Sequence, residues 1–137
     1  MTAAVTDRDT RTREGTIRNF PVAAAAVLYA GTIAVLSAGN LTKGVTGVGL
    51  VCVGATRERI DNSTGIAGAI RGNAFRGVHG PFANSAAGDL IALTDVGTDC
   101  YIVDDSTVAK TSGGATRSIA GKVFDVSADG VWVHFTL

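Results

Sequence analysis

Along much of the chain apolar and polar positions alternate with the two-residue period of half-buried strands. Gly, Asn, Asp and Pro punctuate the pattern roughly every 8–12 residues. In the last third it predicts two hairpins. Cys100-Tyr101-Ile102-Val103 leads through Asp104-Asp105-Ser106-Thr107 to Val108-Ala109-Lys110. Residues 119–126 turn at Ser127-Ala128-Asp129-Gly130 into Val131-Trp132-Val133-His134-Phe135, and Asp-Gly between β-branched runs is a strong hairpin signal. Upstream, residues 16–22 alternate as a first strand, with Pro21 confining its end to an edge or bend. Residues 23–38 are read as strand, turn, strand around Gly31, because a helix there would be apolar all round. Gly39-Asn40 is a turn, residues 41–46 a short strand, and residues 47–58 a buried strand emerging into charge. Asp61-Asn62-Ser63-Thr64-Gly65 is a turn cluster, residues 66–77 follow, and His79-Gly80-Pro81 breaks that segment. Thr94-Asp95-Val96-Gly97 could begin a single helical turn. No internal repeat stands out.

Residues 1–15 are polar and charged, without apolar period, and predict a flexible N-terminal arm that orders only on a partner. The expected organisation is this arm (1–15) followed by one β domain (16–137). The class is mainly β, an antiparallel β-sandwich or jelly-roll or a small β-barrel, three topologies that share these signals.

Composition sharpens the class. The chain is 46% hydrophobic but only 6% aromatic, with 18 glycines in 137 residues, which favours short strands and tight turns. Lys plus Arg equals Asp plus Glu, 12 each, so no net field attracts nucleic acid or membrane. The zero conceals a division, because residues 1–81 balance at 9 − 5 = +4 and residues 82–137 at 3 − 7 = −4. Such a division is either ordinary scatter of charges or complementarity for head-to-tail contact, between copies or with a larger partner surface. Phe20 to Ala38 is uncharged over 19 residues, close to spanning length, but Pro21, Gly31, Thr32 and Ser37 interrupt it, so a soluble chain is expected. Cys52 and Cys100 each sit inside an apolar run and are expected as buried free thiols.

The candidate chemistry is sparse. Gly44-Val45-Thr46-Gly47-Val48-Gly49 has Cys52 where a dinucleotide fingerprint needs glycine, and no Gly-Lys-Ser/Thr follows, so these are turn glycines. Asp104-Asp105 lies at a hairpin tip without the spacing of a calcium loop, and Asp129 reads likewise. Neither cysteine has a CxxC partner for zinc. His79 and His134 lack a G-x-S-x-G context, and Glu14 and Glu58 lack paired carboxylates. No catalytic, cofactor or metal residue is expected, and the chain is not read as an enzyme. Arg57, Arg59, Arg71 and Arg76 with Phe75 suggest a protein-binding rim more than a nucleic-acid surface. The sequons at Asn40 and Asn62 matter only in a secretory pathway.

One ordered succession carries a resemblance. Val96-Gly97 and Cys100-Tyr101 lead to Val103-Asp104-Asp105 and Thr107-Val108-Ala109. Thr116-Arg117-Ser118, Ala120-Gly121 and Val123 follow, then Asp129-Gly130-Val131-Trp132-Val133. Upstream stand Phe20-Pro21-Val22-Ala23, Tyr29-Ala30-Gly31, Val53-Gly54-Ala55, Asp61-Asn62, Arg76-Gly77 and Phe82-Ala83-Asn84-Ser85. From about Asp7 to Phe135 the chain resembles the capsid cement or decoration proteins of tailed bacteriophages. The resemblance implies a structural virion protein on the capsid exterior, assembled in the bacterial cytoplasm. It implies that the protein bridges neighbouring subunits of the major capsid protein, without direct nucleic acid or membrane contact; a homo-oligomer, dimer or trimer, is expected, although some cement proteins bind as monomers. The expected capsid-binding residues are Arg8, Arg11, Arg13 and Arg18 of the arm and strand, with Arg57, Arg59, Arg71 and Arg76 of the middle. The alternatives are another phage head or tail module, or a small ligand-binding β domain.

Overall fold

A computed structural model describes residues 2–136; Met1 and Leu137, the outer ends of the expected arm and β domain, lie outside the described residues. The first half contributes β1 (Ile17–Pro21), β2 (Val27–Leu28), β3 (Ile33–Ser37), β4 (Asn40–Lys43), β5 (Val51–Ala55), β6 (Ile60–Asp61) and β7 (Arg71–Phe75). The second contributes β8 (Gly77–Asn84), β9 (Asp99–Ile102), β10 (Thr107–Ala109), β11 (Ile119–Ser127) and β12 (Gly130–Phe135). Single 3-10 turns stand at Ala87–Asp89 and Leu93–Asp95, the second at the place expected for a helical turn. The fold is mainly β, and both C-terminal hairpins form where the pattern puts them.

Strands β10-β8-β12-β11-β9 close into a small barrel. One pair departs from the antiparallel expectation, because β10 runs parallel to β8. Parity requires this. Directions cannot alternate all the way round a ring of five, so one joint must be parallel. The other five main strands form a sheet in the order β1-β7-β5-β3-β4. Val22, just beyond β1, makes a parallel bridge with Leu41 of β4, and the Ala23 amide donates to the Leu41 carbonyl at 2.9 Å. This sheet is therefore curled almost shut, again through a parallel joint.

The two halves follow one plan. Leaving aside the β2–β6 ribbon, the strands of each half neighbour one another in the order first, fifth, fourth, second, third, and the third meets the first in parallel. The registers match too. In β3–β5 the pairing steps from Ala34↔Gly54 to Val35↔Cys52, bulging Val53. In β9–β11 it steps from Cys100↔Gly121 to Tyr101↔Ile119, bulging Ala120. The Gly31 amide donates to Thr56 O and the Thr56 amide to Thr32 O, at 2.9 Å each. Gly97, Val123 and Thr98 repeat that exchange at 2.8 and 2.9 Å. The hydroxyls of Thr32 and Thr98 donate back to Tyr29 O and Asp95 O, both at 2.7 Å. A repeat absent from the sequence reading is thus present in the structure. It is masked because identical residues at matched positions are few: Phe20/Phe82, Gly31/Gly97, Thr32/Thr98, Lys43/Lys110 and Gly54/Gly121. Unequal links obscure it further, since residues 56–70 join β5 to β7 but only Ala128 and Asp129 join β11 to β12.

Burial follows from this plan. β3 and β5 are nearly continuous apolar runs because both faces are covered, the signature of an inner strand. Ala34 and Val53 point into the first module with Val22, Leu28, Leu41 and Ile60. Ile33, Val35 and Cys52 face the other way and join Phe82, Ile102 and Phe135 of the second module in one cluster. One expectation is corrected: His79-Gly80-Pro81 does not break the chain, because β8 runs through it. Pro81 is tolerated there because the β8–β12 register shifts between Val131 and Val133, where a missing amide leaves no ladder bond unmade.

Cys52 and Cys100 are free and buried. Burial pushes their thiols up to about 12 and about 11 respectively. Neither should react with a disulfide reagent at pH 8 in the native protein, while both react once the chain is unfolded in urea. The raised values also set a sign. Their contribution to stability is fully present below pH 9, the unfolded value, and is lost as pH rises toward the folded values. Urea midpoints should accordingly fall between pH 9 and about 11, and a flat profile would refute the assignment.

Candidate functional site

Residues 2–14 are exposed and carry no regular strand or helix, so Arg8, Arg11 and Arg13 lie on an open segment. The arm joins the body at Gly15. There the Arg76 guanidinium donates to Gly15 O at 3.4 Å and, through its other terminal nitrogen, to Thr136 O. A cleft of about 280 Å³ at this root is lined by Arg13, Arg18 and Arg76 together with Glu14, Ile17 and Phe20. Glu14 accepts from the Thr16 hydroxyl at 2.7 Å, and that bond holds its carboxyl below the ordinary range.

The structure divides the eight expected arginines. Arg13, Arg18 and Arg76 come together at the cleft, with Arg18 stacked 4.9 Å from the Phe20 ring. Arg57 and Arg71 share the outer face of β1–β7. Arg57 lies 4.5 Å over Phe75, and Arg71 donates to the side chain and carbonyl of Asn19, whose own side-chain amide donates to Asn73 Oδ1 at 2.9 Å. Arg59 is set apart, 5.3 Å over Tyr29 and 3.9 Å from Asp61. Arg8 and Arg11 stay out along the arm. The charge division also becomes spatial, because no Lys, Arg, Asp or Glu falls between residues 77 and 81. The first module with its arm holds +4 and the barrel module −4.

A second surface was not foreseen. A groove of about 610 Å³ runs between residues 48–52 and the outer faces of β9 and β11. Its apolar wall is Val48, Leu50, Val51, Tyr101 and Ile119, with Val48 69% and Ile119 48% exposed. Its rim carries an ion pair between Lys122 and Asp99 at 2.7 Å. Arg117 borders it as well, fixed at 3.2 Å to Asp89. Because the lining comes from segments far apart in sequence, no local pattern marks it. The signal within reach was the alternation in β11, which puts Ala120 inward and so Ile119 outward.

Comparison of the chain with protein families, curated proteins and solved structures finds no match. Function therefore rests on the surfaces themselves. Among the described residues, no group of three or more His, Cys, Asp or Glu is placed to hold a metal ion, and no helix is long and apolar enough to cross a membrane. The arrangement presents a cluster of arginines at the root of the arm and an apolar groove near it, the two linked through Thr136, which borders the groove and accepts from Arg76.

Proposed function

We propose that this chain is a structural protein that clamps the outside of an assembled bacteriophage capsid, bridging neighbouring copies of the major capsid protein. The observation that carries the reading is the arm. It is exposed from residue 2 to residue 14, leaves the body beside Arg13, Arg18 and Arg76, and has only Ala3-Ala4-Val5 as apolar content. Such a segment gains nothing by folding on itself and gains contacts only on a partner surface. The resemblance to cement proteins, read from the sequence, supplies that partner. A protein that binds the assembled lattice but not free subunits stabilises the lattice by mass action, and many copies multiply a modest contact.

Purified protein mixed with undecorated heads should add regular density between capsomers in cryo-electron microscopy. Heads that remain bare at saturating protein would overturn the reading. Deleting residues 2–14 should weaken head binding by about tenfold or more, worth at least ~1.4 kcal/mol, while the melting temperature stays put. Unchanged binding would remove the arm from the mechanism.

A further inference from the structure

The cleft at the root of the arm gathers positive charge that its own lining does not offset. Arg13, Arg18 and Arg76 line it, and among the described residues none of the three is ion-paired with a carboxylate. Glu14 is the one acid in the lining. Its carboxylate is occupied by the Thr16 hydroxyl and amide, at 2.7 and 3.3 Å. Both Arg76 donors reach carbonyls, which carry no charge to cancel its own. The barrel module treats its cations differently. All three basic residues beyond residue 81 have a carboxylate partner: Lys110 has Asp95, Arg117 has Asp89 and Lys122 has Asp99. Three guanidiniums without counter-ions thus converge on one cleft.

Size and lining select what enters. A volume of about 280 Å³ suits the side chains of a protruding loop, and Ile17 and Phe20 add apolar surface for the loop to rest on. A nucleic acid fits poorly, because its phosphates would meet Glu14 and then a barrel module of −4. Nor is Phe20 open as a platform for a base, since Arg18 already stacks on it at 4.9 Å. That stack prepares Arg18 for a carboxylate. A guanidinium over a ring keeps its N–H edge available for bidentate pairing, and holding it there in advance lowers the entropy lost on binding. We propose that the cleft seats an acidic loop of the partner protein, with Arg13 and Arg18 as counter-ions to two of its carboxylates and Arg76 holding the wall that positions them. The partner's identity rests on the capsid reading, whereas its acidic chemistry comes from the cleft itself.

Two measurements on the full chain test the contact and keep the two readings apart. In the first, undecorated heads are titrated with wild type and with the double variant Arg13→Gln/Arg18→Gln. Arg13 is exposed and Arg18 half-buried, so the melting temperature should hold within a few degrees. The double variant should bind roughly tenfold more weakly at low salt, and added sodium chloride should narrow that gap by screening. Lys43→Gln, which removes an exposed charge at the end of β4, should bind as wild type does. Equal binding by wild type and the double variant would overturn the acidic loop and leave the capsid reading standing. The second measurement needs no capsid. Acetylated tetraglutamate at millimolar concentration should shift the amide NMR signals of residues 13–20 and 76–77, and tetraglutamine should not. The shifts should vanish in the double variant. Signals that stay in place with tetraglutamate, or a thymidine oligonucleotide that binds the same residues more tightly, would overturn the acidic loop. Heads that stay bare of wild type while tetraglutamate binds would sink the capsid reading alone.

Discussion

Replacing Gly54 by alanine should destabilise the protein by about 3 kcal/mol, with the melting temperature lowered by roughly 10 °C. A Cβ at this position would stand 2.3 Å from the Phe75 carbonyl oxygen, and φ is +138°. Both the clash and the backbone conformation oppose a side chain. Gly121 occupies the matching place in the second module, where a Cβ would meet the His134 carbonyl at 2.5 Å. Gly121→Ala should therefore behave alike, through close approach alone. The cause is shared, because at both sites a bulge in the fourth strand drives its backbone against the fifth. Gly88→Ala is the control, since a Cβ there meets open space and should cost less than about 0.5 kcal/mol. Urea unfolding measures all three. Losses below about 1 kcal/mol at both paired glycines would show that the fifth strand yields easily and would weaken the structural equivalence.

The largest loss from a single side chain is expected at Phe135, where truncation to alanine should remove about 3–5 kcal/mol. Phe135 is 1% exposed, meets Phe82 edge-on with ring centres 5.9 Å apart, and lies in the cluster that also holds Ile33, Val35 and Cys52. The cavity would open where the modules join, so both should lose stability together, in one transition. Two separate transitions in the calorimeter would show instead that the modules hold independent cores. Phe124→Ala serves as comparison. That ring is 56% exposed on β11 and should change stability by no more than about 0.5 kcal/mol.

What the sequence revealed depended on how local each signal was. The β11–β12 hairpin was legible because its turn and both strands lie within one short stretch with clear alternation. β5 was legible as a buried strand through its apolar run, and β3 as the strand that follows the turn at Gly31. β8 was misread because proline is scored as a breaker, and only the partner strand shows that its register shifts there. The repeat was invisible for a related reason. What is conserved between the halves is backbone pairing, held by Gly54 and Gly121 and by the Gly-Thr steps at Gly31 and Gly97, while the core side chains differ. At the matched interior positions Ala34 stands for Cys100, Leu36 for Ile102 and Val53 for Ala120. Of the arginines, sequence supplied the residue type but not the grouping, which depends on β1 pairing with β7 and on where the arm meets Arg76.

Arg76 has one more consequence. Its guanidinium reaches the carbonyls of Gly15 and Thr136, so the point where the chain enters the body and the point where it leaves are held by one side chain. The two modules also meet there, between β7 and β8. The molecule is therefore threaded as a closed loop with a single seam, and whatever is fused to its C-terminus is delivered to the neighbourhood in which the N-terminal arm works.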